Sequence, residues 1–194
     1  LPEAEADPSG APPKRTLILD LDETLVHTEF DQSRGWLTHR RPHVAKFLEE
    51  AAKDYELVCF TSGLKPYASP IVDHLDPHPR GLISHRLYRD HTLSMKGLHV
   101  KDLSRLNRDL ARTIIIDNSP ESYLLQPENA VPIKPFFADG EDDELYALSE
   151  FLAAVVRADV PDVRRMLARC HQKGRFRVRS SDHGPGSTLA VGGQ

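Results

Sequence analysis

The sequence predicts an α/β fold: a mostly parallel sheet with helices on both faces, a small hairpin-like insertion and no large cap domain. Three observations carry that expectation. Apolar runs rich in β-branched residues recur at residues 16–21, 55–60 and 113–117, as strands buried on both faces require. Segments with apolar residues at helical spacing alternate with those runs. Each run also stops at polar residues, Asp20/Asp22, Thr61/Ser62 and Asp117/Asn118, and a parallel sheet gathers such endings at one rim.

Taken in order, residues 1–14 read as a flexible lead-in, with Pro2, Pro8, Pro12 and Pro13 among acidic and small residues. Residues 15–172 form one domain, and residues 173–194 read as a disordered tail. The first strand, 16–21, is followed by a short polar stretch, 27–41. Pro42 then opens a helix with Val44, Phe47, Leu48 and Ala51 on one face. The second strand, 55–60, leads to a helix over 66–75 that Pro77 and Pro79 end. Residues 81–99 alternate and are turn-rich, which suggests a hairpin-like excursion. The strand at 113–117 is continuous, and 130–134 suggests a fourth. The acidic run 141–144 suits the amino end of a helix carrying Leu145, Leu148, Phe151, Leu152 and Val155. Pro161 opens a last helix, to about His171.

Composition narrows the function classes. A chain of 194 residues with net charge −4 and pI near 6.2 presents no broad basic face, so nucleic acid is not the expected partner. No stretch approaches the roughly 20 apolar residues that span a bilayer, so any membrane anchor is placed upstream of Leu1. Cys59 sits in an apolar run and reads as a small core residue; size and compartment argue against a Cys59–Cys170 bridge. The histidine pairs His39/His43 and His74/His78 have helical spacing, but Pro42 and Pro77 interrupt both, which argues against zinc.

The chemistry lies in Asp20-Leu21-Asp22-Glu23-Thr24. Two carboxylates about 4 Å apart repel by about 4 kcal/mol at an effective dielectric near 20, so a cation is needed to hold them. A hard divalent ion with a phosphate ester satisfies that need. With Thr61 and Ser62 to bind anions, Lys101 to balance charge and Asp117/Asn118 beside them, the set suits phosphoryl transfer through a carboxylate nucleophile.

The motif Asp20-Leu21-Asp22-Glu23-Thr24-Leu25-Val26-His27 resembles the signature of haloacid-dehalogenase-type phosphatases, in the branch of the RNA polymerase carboxy-terminal-domain phosphatases. The resemblance implies Asp20 as nucleophile and Asp22 as acid, then base. It implies Mg²⁺ held by Asp20, the Asp22 carbonyl and Asp117, with Asn118 beside it. Thr61, Ser62 and Lys101 would hold the phosphate. Further along, Gly35-Trp36, Arg41-Pro42, Leu106-Asn107-Arg108-Asp109-Leu110 and Leu125-Gln126-Pro127-Glu128-Asn129 are similar to the Tim-fifty family, receptors of the mitochondrial inner-membrane presequence translocase. That likeness spans residues 15–170.

It implies a domain facing the intermembrane space, with channel subunits and precursor presequences as partners; the exposure and turn content expected of residues 81–99 make them the candidate contact element. The alternative is a nuclear or cytoplasmic Mg²⁺-dependent serine/threonine phosphatase with a phosphoprotein substrate. Many translocase receptors have lost motif aspartates; this chain keeps every catalytic position, which favours retained activity over inherited strand-end carboxylates. His27 reads as a support for the Asp22 loop. Trp36 belongs either to a contact surface or to packing on the adjoining helix. With 13 residues at 28–40 there is no room for a cap, and an open rim suits a protein or peptide.

Overall fold

In the computed structural model, residues 1–4, 13–77 and 81–174 are described. The chain runs through β1 (Arg15–Leu19), β2 (Val26–Asp31), β3 (Gly35–Arg40), α1 (Val44–Asp54), β4 (Tyr55–Phe60), α2 (Lys65–Leu75) and β5 (Ile83–Leu87). It continues through β6 (Leu93–Met95), β7 (Leu98–Val100), β8 (Thr113–Asp117), β9 (Ala130–Pro132), α3 (Glu144–Arg157) and α4 (Val163–Gln172). Five strands form one all-parallel sheet in the order β5-β4-β1-β8-β9. β2–β3 and β6–β7 are separate antiparallel hairpins.

β1 is central and wholly buried, which is why its sequence is an unbroken apolar run. Its register sets Leu19 beside Cys59 of β4 and Ile116 of β8, so the residues that follow all three strands share one rim. Leu17, Leu19, Leu57, Cys59, Ile114 and Ile116 pack in one cluster with the apolar faces of all four α-helices. Ile18, Val58, Phe60 and Ile115 project the other way, onto Leu103, Leu106 and Tyr123. Helical segments thus cover both faces, but on the second they are single 3₁₀ turns, Leu103–Arg105 and Pro120–Tyr123.

Several expectations are corrected. The stretch 27–41 is the β2–β3 hairpin; only Val26 is buried along its two strands, so cross-strand pairs such as Thr28–Thr38 and Phe30–Trp36 stabilise it instead of a core face. Asp31 accepts from the Ser33 and Arg34 amides at its turn. Trp36 does not pack on the helix: it is 73% exposed and meets Phe30 edge-on at 5.4 Å. Residues 81–99 divide in two. The first part is β5, an edge strand of the main sheet whose polar Ser84, His85 and Arg86 hide its strand character. The second is the β6–β7 hairpin, turning at Lys96 and Gly97, both at positive φ. β1 ends at Leu19, not at 21, and α4 begins at Val163, capped by Asp162.

The acidic run before α3 does more than cap. Asp142 accepts from the Glu144 amide, and it is buried against Arg41, which donates to both of its oxygens at 2.7 Å. Arg41 also donates to the carbonyls of Thr24 (3.1 Å) and Lys134 (2.8 Å), so one guanidinium ties the Asp22 loop to the segment before α3. Of the lead-in, Leu1 packs against the cluster on the sheet's second face, and the Pro2 carbonyl accepts from Arg108. Residues 5–12, the tail from 175 onward, and His78 and Pro79 lie outside the described residues. Cys59 and Cys170 are separate buried thiols.

Arg108 grips both oxygens of Glu56 at 2.6 Å, and that hydrogen-bonded pairing holds the Glu56 carboxyl below its usual range. A depressed folded pKa adds stability above the unfolded value, near 4.5, and loses it as pH falls through the folded one. Arg108→Met is therefore expected to cost about 1 kcal/mol in urea unfolding at pH 7, with the penalty shrinking below pH 4. An undiminished penalty in acid would assign the effect to packing.

Candidate active site

The site is built where three buried strands run out. Asp20 extends the β1 ladder by one residue, its amide donating to the Ile116 carbonyl at 3.1 Å. Leu21 is then buried, and its carbonyl accepts from the amides of Leu25 (2.9 Å) and Val26 (3.1 Å). That wrap folds the loop back and leaves Asp22 projecting over the end of β4. Glu23 takes a positive φ of 58° in the turn, and its carboxylate meets His27 Nδ1 at 2.9 Å, so His27 does brace this loop.

Lys101 follows β7, anchored by its amide on the Ser122 carbonyl at 2.7 Å. It is fully buried, and its Nζ donates to Asp20 Oδ1 at 2.5 Å and to Asp117 Oδ2 at 2.6 Å. Burial works against the ammonium, but the charges of Asp117 and Asp20 outweigh it and raise its pKa above the ordinary lysine value. Asp117 takes a further bond from the Ser119 amide at 2.8 Å. Even so, burial first and the Asp20 charge second push its carboxyl up to about 6. The cluster thus holds more negative charge than one ammonium neutralises. That surplus, on hard oxygen donors, fits a divalent cation. Among the described residues no three His, Cys, Asp or Glu side chains form a metal cage, so main-chain and amide oxygens would have to complete the shell.

The second half of the site lies after β4. Thr61 Oγ1 accepts from the Gly63 amide at 2.8 Å and lies 3.4 Å from Asp22 Oδ2. The Ser62 carbonyl accepts from Arg89 Nε at 2.6 Å, which fixes the Ser62–Gly63 turn. Asp22, Ser62, Gly63, Leu64, Tyr67 and Arg89 line an open cleft of about 290 Å³. Burial, with a smaller push from Asp20, raises the Asp22 pKa, although a hydrogen bond from Tyr67 opposes the rise. Asn118 turns to Thr24, accepting from its hydroxyl at 3.2 Å. The structure therefore joins Asp20, Lys101 and Asp117 directly, sets Asp22 and Ser62 on the cleft with Thr61 buried beside Asp22, and ties Asn118 to the motif loop.

Sequence reasoning missed two residues here. Tyr67 donates to Asp22 Oδ1, and Arg89 clamps the Ser62–Gly63 turn. A signal existed for Tyr67: it stands in the first turn of a helix that begins just after Thr61-Ser62-Gly63.

The site is thus the rim of a parallel α/β sheet carrying paired aspartates, a buried lysine and a hydroxyl-bearing turn. The family described as NLI interacting factor-like phosphatase matches residues 15–164, and the chain belongs to it. Relatives divide between two descriptions. A Candida glabrata mitochondrial import inner membrane translocase subunit TIM50 is 42% identical over 175 residues, 89% of this chain and 36% of that protein. The Homo sapiens TIM50 is 41% identical over 167 residues, 86% and 46%. A probable C-terminal domain small phosphatase of Dictyostelium discoideum is 44% identical over 168 residues, 79% and 54%. The chain thus spans about a third to a half of these relatives. The RNA polymerase II CTD phosphatase Fcp1 has the same fold, with a TM-score of 0.56 at 22% identity over 90% of this chain and 55% of that one.

Lys101→Met leaves two buried carboxylates without their cation and is expected to cost about 3–5 kcal/mol in chemical denaturation. Adding Asp117→Asn should recover part of that loss. Strictly additive penalties would show that the three groups are not coupled.

Proposed function

We propose that this chain is the receptor domain of a TIM50-like subunit serving import of presequence-bearing precursors, held at the mitochondrial inner membrane and facing the intermembrane space. Its partners there would be the translocase channel subunits and the presequences themselves. The observation that carries the reading is 41–42% identity to fungal and human TIM50 proteins over more than four-fifths of the chain. The physical features are compatible. The domain is net acidic, presequences are basic and amphipathic, and the rim is open to an extended chain. The contact element proposed from residues 81–99 narrows to β6–β7, where Leu98 is exposed.

A second reading is supported by the site itself: an Mg²⁺-dependent phosphoserine/phosphothreonine protein phosphatase, with both functions compatible in one chain. Lys101 holds Oδ1 of Asp20, leaving the other oxygen to attack phosphorus. Asp22 gives its proton to the departing oxygen as the phosphorus–oxygen ester bond breaks, leaving an aspartyl-phosphate. The Asp22 carboxylate then takes a proton from water as that water attacks the phosphorus and frees Asp20. Thr61 and Ser62 orient the phosphate oxygens. Asp20, Asp117, Asn118 and the Asp22 carbonyl would hold Mg²⁺, which supplies charge neutralisation for the incoming dianion.

Two measurements separate these readings. Purified domain in Mg²⁺ should hydrolyse a generic aryl phosphate, and Asp20→Asn should reduce turnover to background; undiminished activity in the variant would refute Asp20 as nucleophile. A photo-crosslinker at Leu98 should capture a basic presequence peptide. Capture confined to other positions on the domain would remove β6–β7 as the contact.

A further inference from the structure

We propose that Gln126 is a positioning residue: it holds the segment that carries Lys101 where the ammonium meets Asp20 and Asp117. The inference rests on the phosphatase reading for its chemical consequence and deepens it. Lys101 needs such a hold. It follows β7, which pairs with β6 in a hairpin separate from the five-stranded sheet, whereas Asp20 and Asp117 stand at the ends of two strands of that sheet. A lysine is a point charge on a flexible four-carbon stem, so its place depends on how firmly its backbone is gripped.

The grip comes from the connection after β8. The Ser122 carbonyl takes the Lys101 amide, and Gln126 takes the next two residues. Its Oε1 accepts from the Leu103 amide at 2.9 Å, and its Nε2 donates to Asp102 Oδ1 at 3.1 Å. These partners admit one orientation of the side-chain amide, because the N–H can only donate and the ionised carboxylate can only accept. Asp102 Oδ1 also accepts from the Ser104 amide (3.1 Å) and hydroxyl (2.6 Å), so the turn that follows Lys101 closes on the oxygen Gln126 holds. Gln126 is itself buried and bonded through its backbone, its amide to the Tyr123 carbonyl at 3.1 Å and its carbonyl to the Asn129 amide at 3.0 Å. Leu103 is fully buried, so its amide depends on this side chain for a partner. One stretch of chain thus carries Asp117 and also grips the segment of the lysine that meets it.

Gln126→Met keeps the side chain's length and removes both hydrogen bonds, leaving every reacting group in place. In Mg²⁺, well below its unfolding temperature, its Kd for inorganic phosphate and its KM for p-nitrophenyl phosphate should rise about tenfold, the order of loss that a displacement of about 1 Å can cause. Asn129→Ser is the comparison. Asn129 lies in the same connection, but its bonds run to the carbonyls of Leu110 (2.6 Å) and Thr113 (2.7 Å), so this variant should lower the unfolding midpoint and keep the wild-type phosphate affinity. Equal losses of affinity in both variants, or none in Gln126→Met, would assign Gln126 to fold stability alone and overturn the proposal. A crystal structure of Gln126→Met should show Lys101 Nζ drawn away from Asp20 or Asp117; an ammonium still bonded to both overturns it as well. Should Gln126→Met not fold, Gln126→Glu, which keeps an acceptor for Leu103 and sets like charge against Asp102, carries the same two measurements. A wild-type domain that neither binds phosphate nor cleaves the ester overturns the phosphatase reading instead, and the position of Lys101 in the variant crystal then decides the role of Gln126 by itself.

Discussion

The ammonium of Lys101 between Asp20 and Asp117 is the interaction on which the rest of this molecule depends. The carboxylates end adjacent central strands, β1 and β8, so the sheet register alone forces them together. Without a buried cation those strand ends would repel one another at the middle of the fold. Lys101 comes from a distant segment, and its backbone is fixed by Ser122 in the turn after β8. Closing the second face of the sheet and neutralising the site are therefore one event. Two carboxylates share this one ammonium, and their remaining oxygens are hard donors of the kind a further cation would meet.

The parts of the fold that were legible share one cause. β1, β4 and β8 are buried on both faces, so their sequences are continuous apolar runs, and their polar endings mark the rim. The strands outside the sheet's centre, β5 and β2–β3, were misread. β5 is an edge strand with three of its five residues polar. β2–β3 stands away from the core, so its order comes from cross-strand pairs and a turn, which leave no hydrophobic period. The same limit applies to side chains. Asp20, Asp22, Lys101 and Asp117 are marked by motif and Tyr67 by its place in the helix after Thr61-Ser62-Gly63, whereas Arg89 acts on the Ser62 carbonyl from 27 positions away and no pattern marks it. The Arg41–Asp142 pair, separated by 101 positions, had no local signature at all.

Arg41 illustrates how far the fold goes to hold the Asp22 loop. A guanidinium with no exposed surface is costly unless each donor is used, and here its donors reach Asp142, Thr24 and Lys134. His27, Thr24 and Tyr67 add further restraints from three directions. A loop that served only as a connection would not need so many independent anchors. The density of restraint holds Asp22 in one place on the rim.

The two hairpins give the receptor and phosphatase readings a common physical basis. β2 begins four residues after Asp22, and β7 ends immediately before Lys101, so each hairpin is joined covalently to a charged member of the site. Both project from a rim with no cap, and their exposed side chains, Phe30, Trp36 and Leu98, are of the kind that protein interfaces bury. A partner seated on either hairpin therefore bears on Asp22 or Lys101 through a few bonds of backbone. A chain that exchanged phosphatase work for precursor reception would keep the buried lysine cluster for stability and the hairpins for contact.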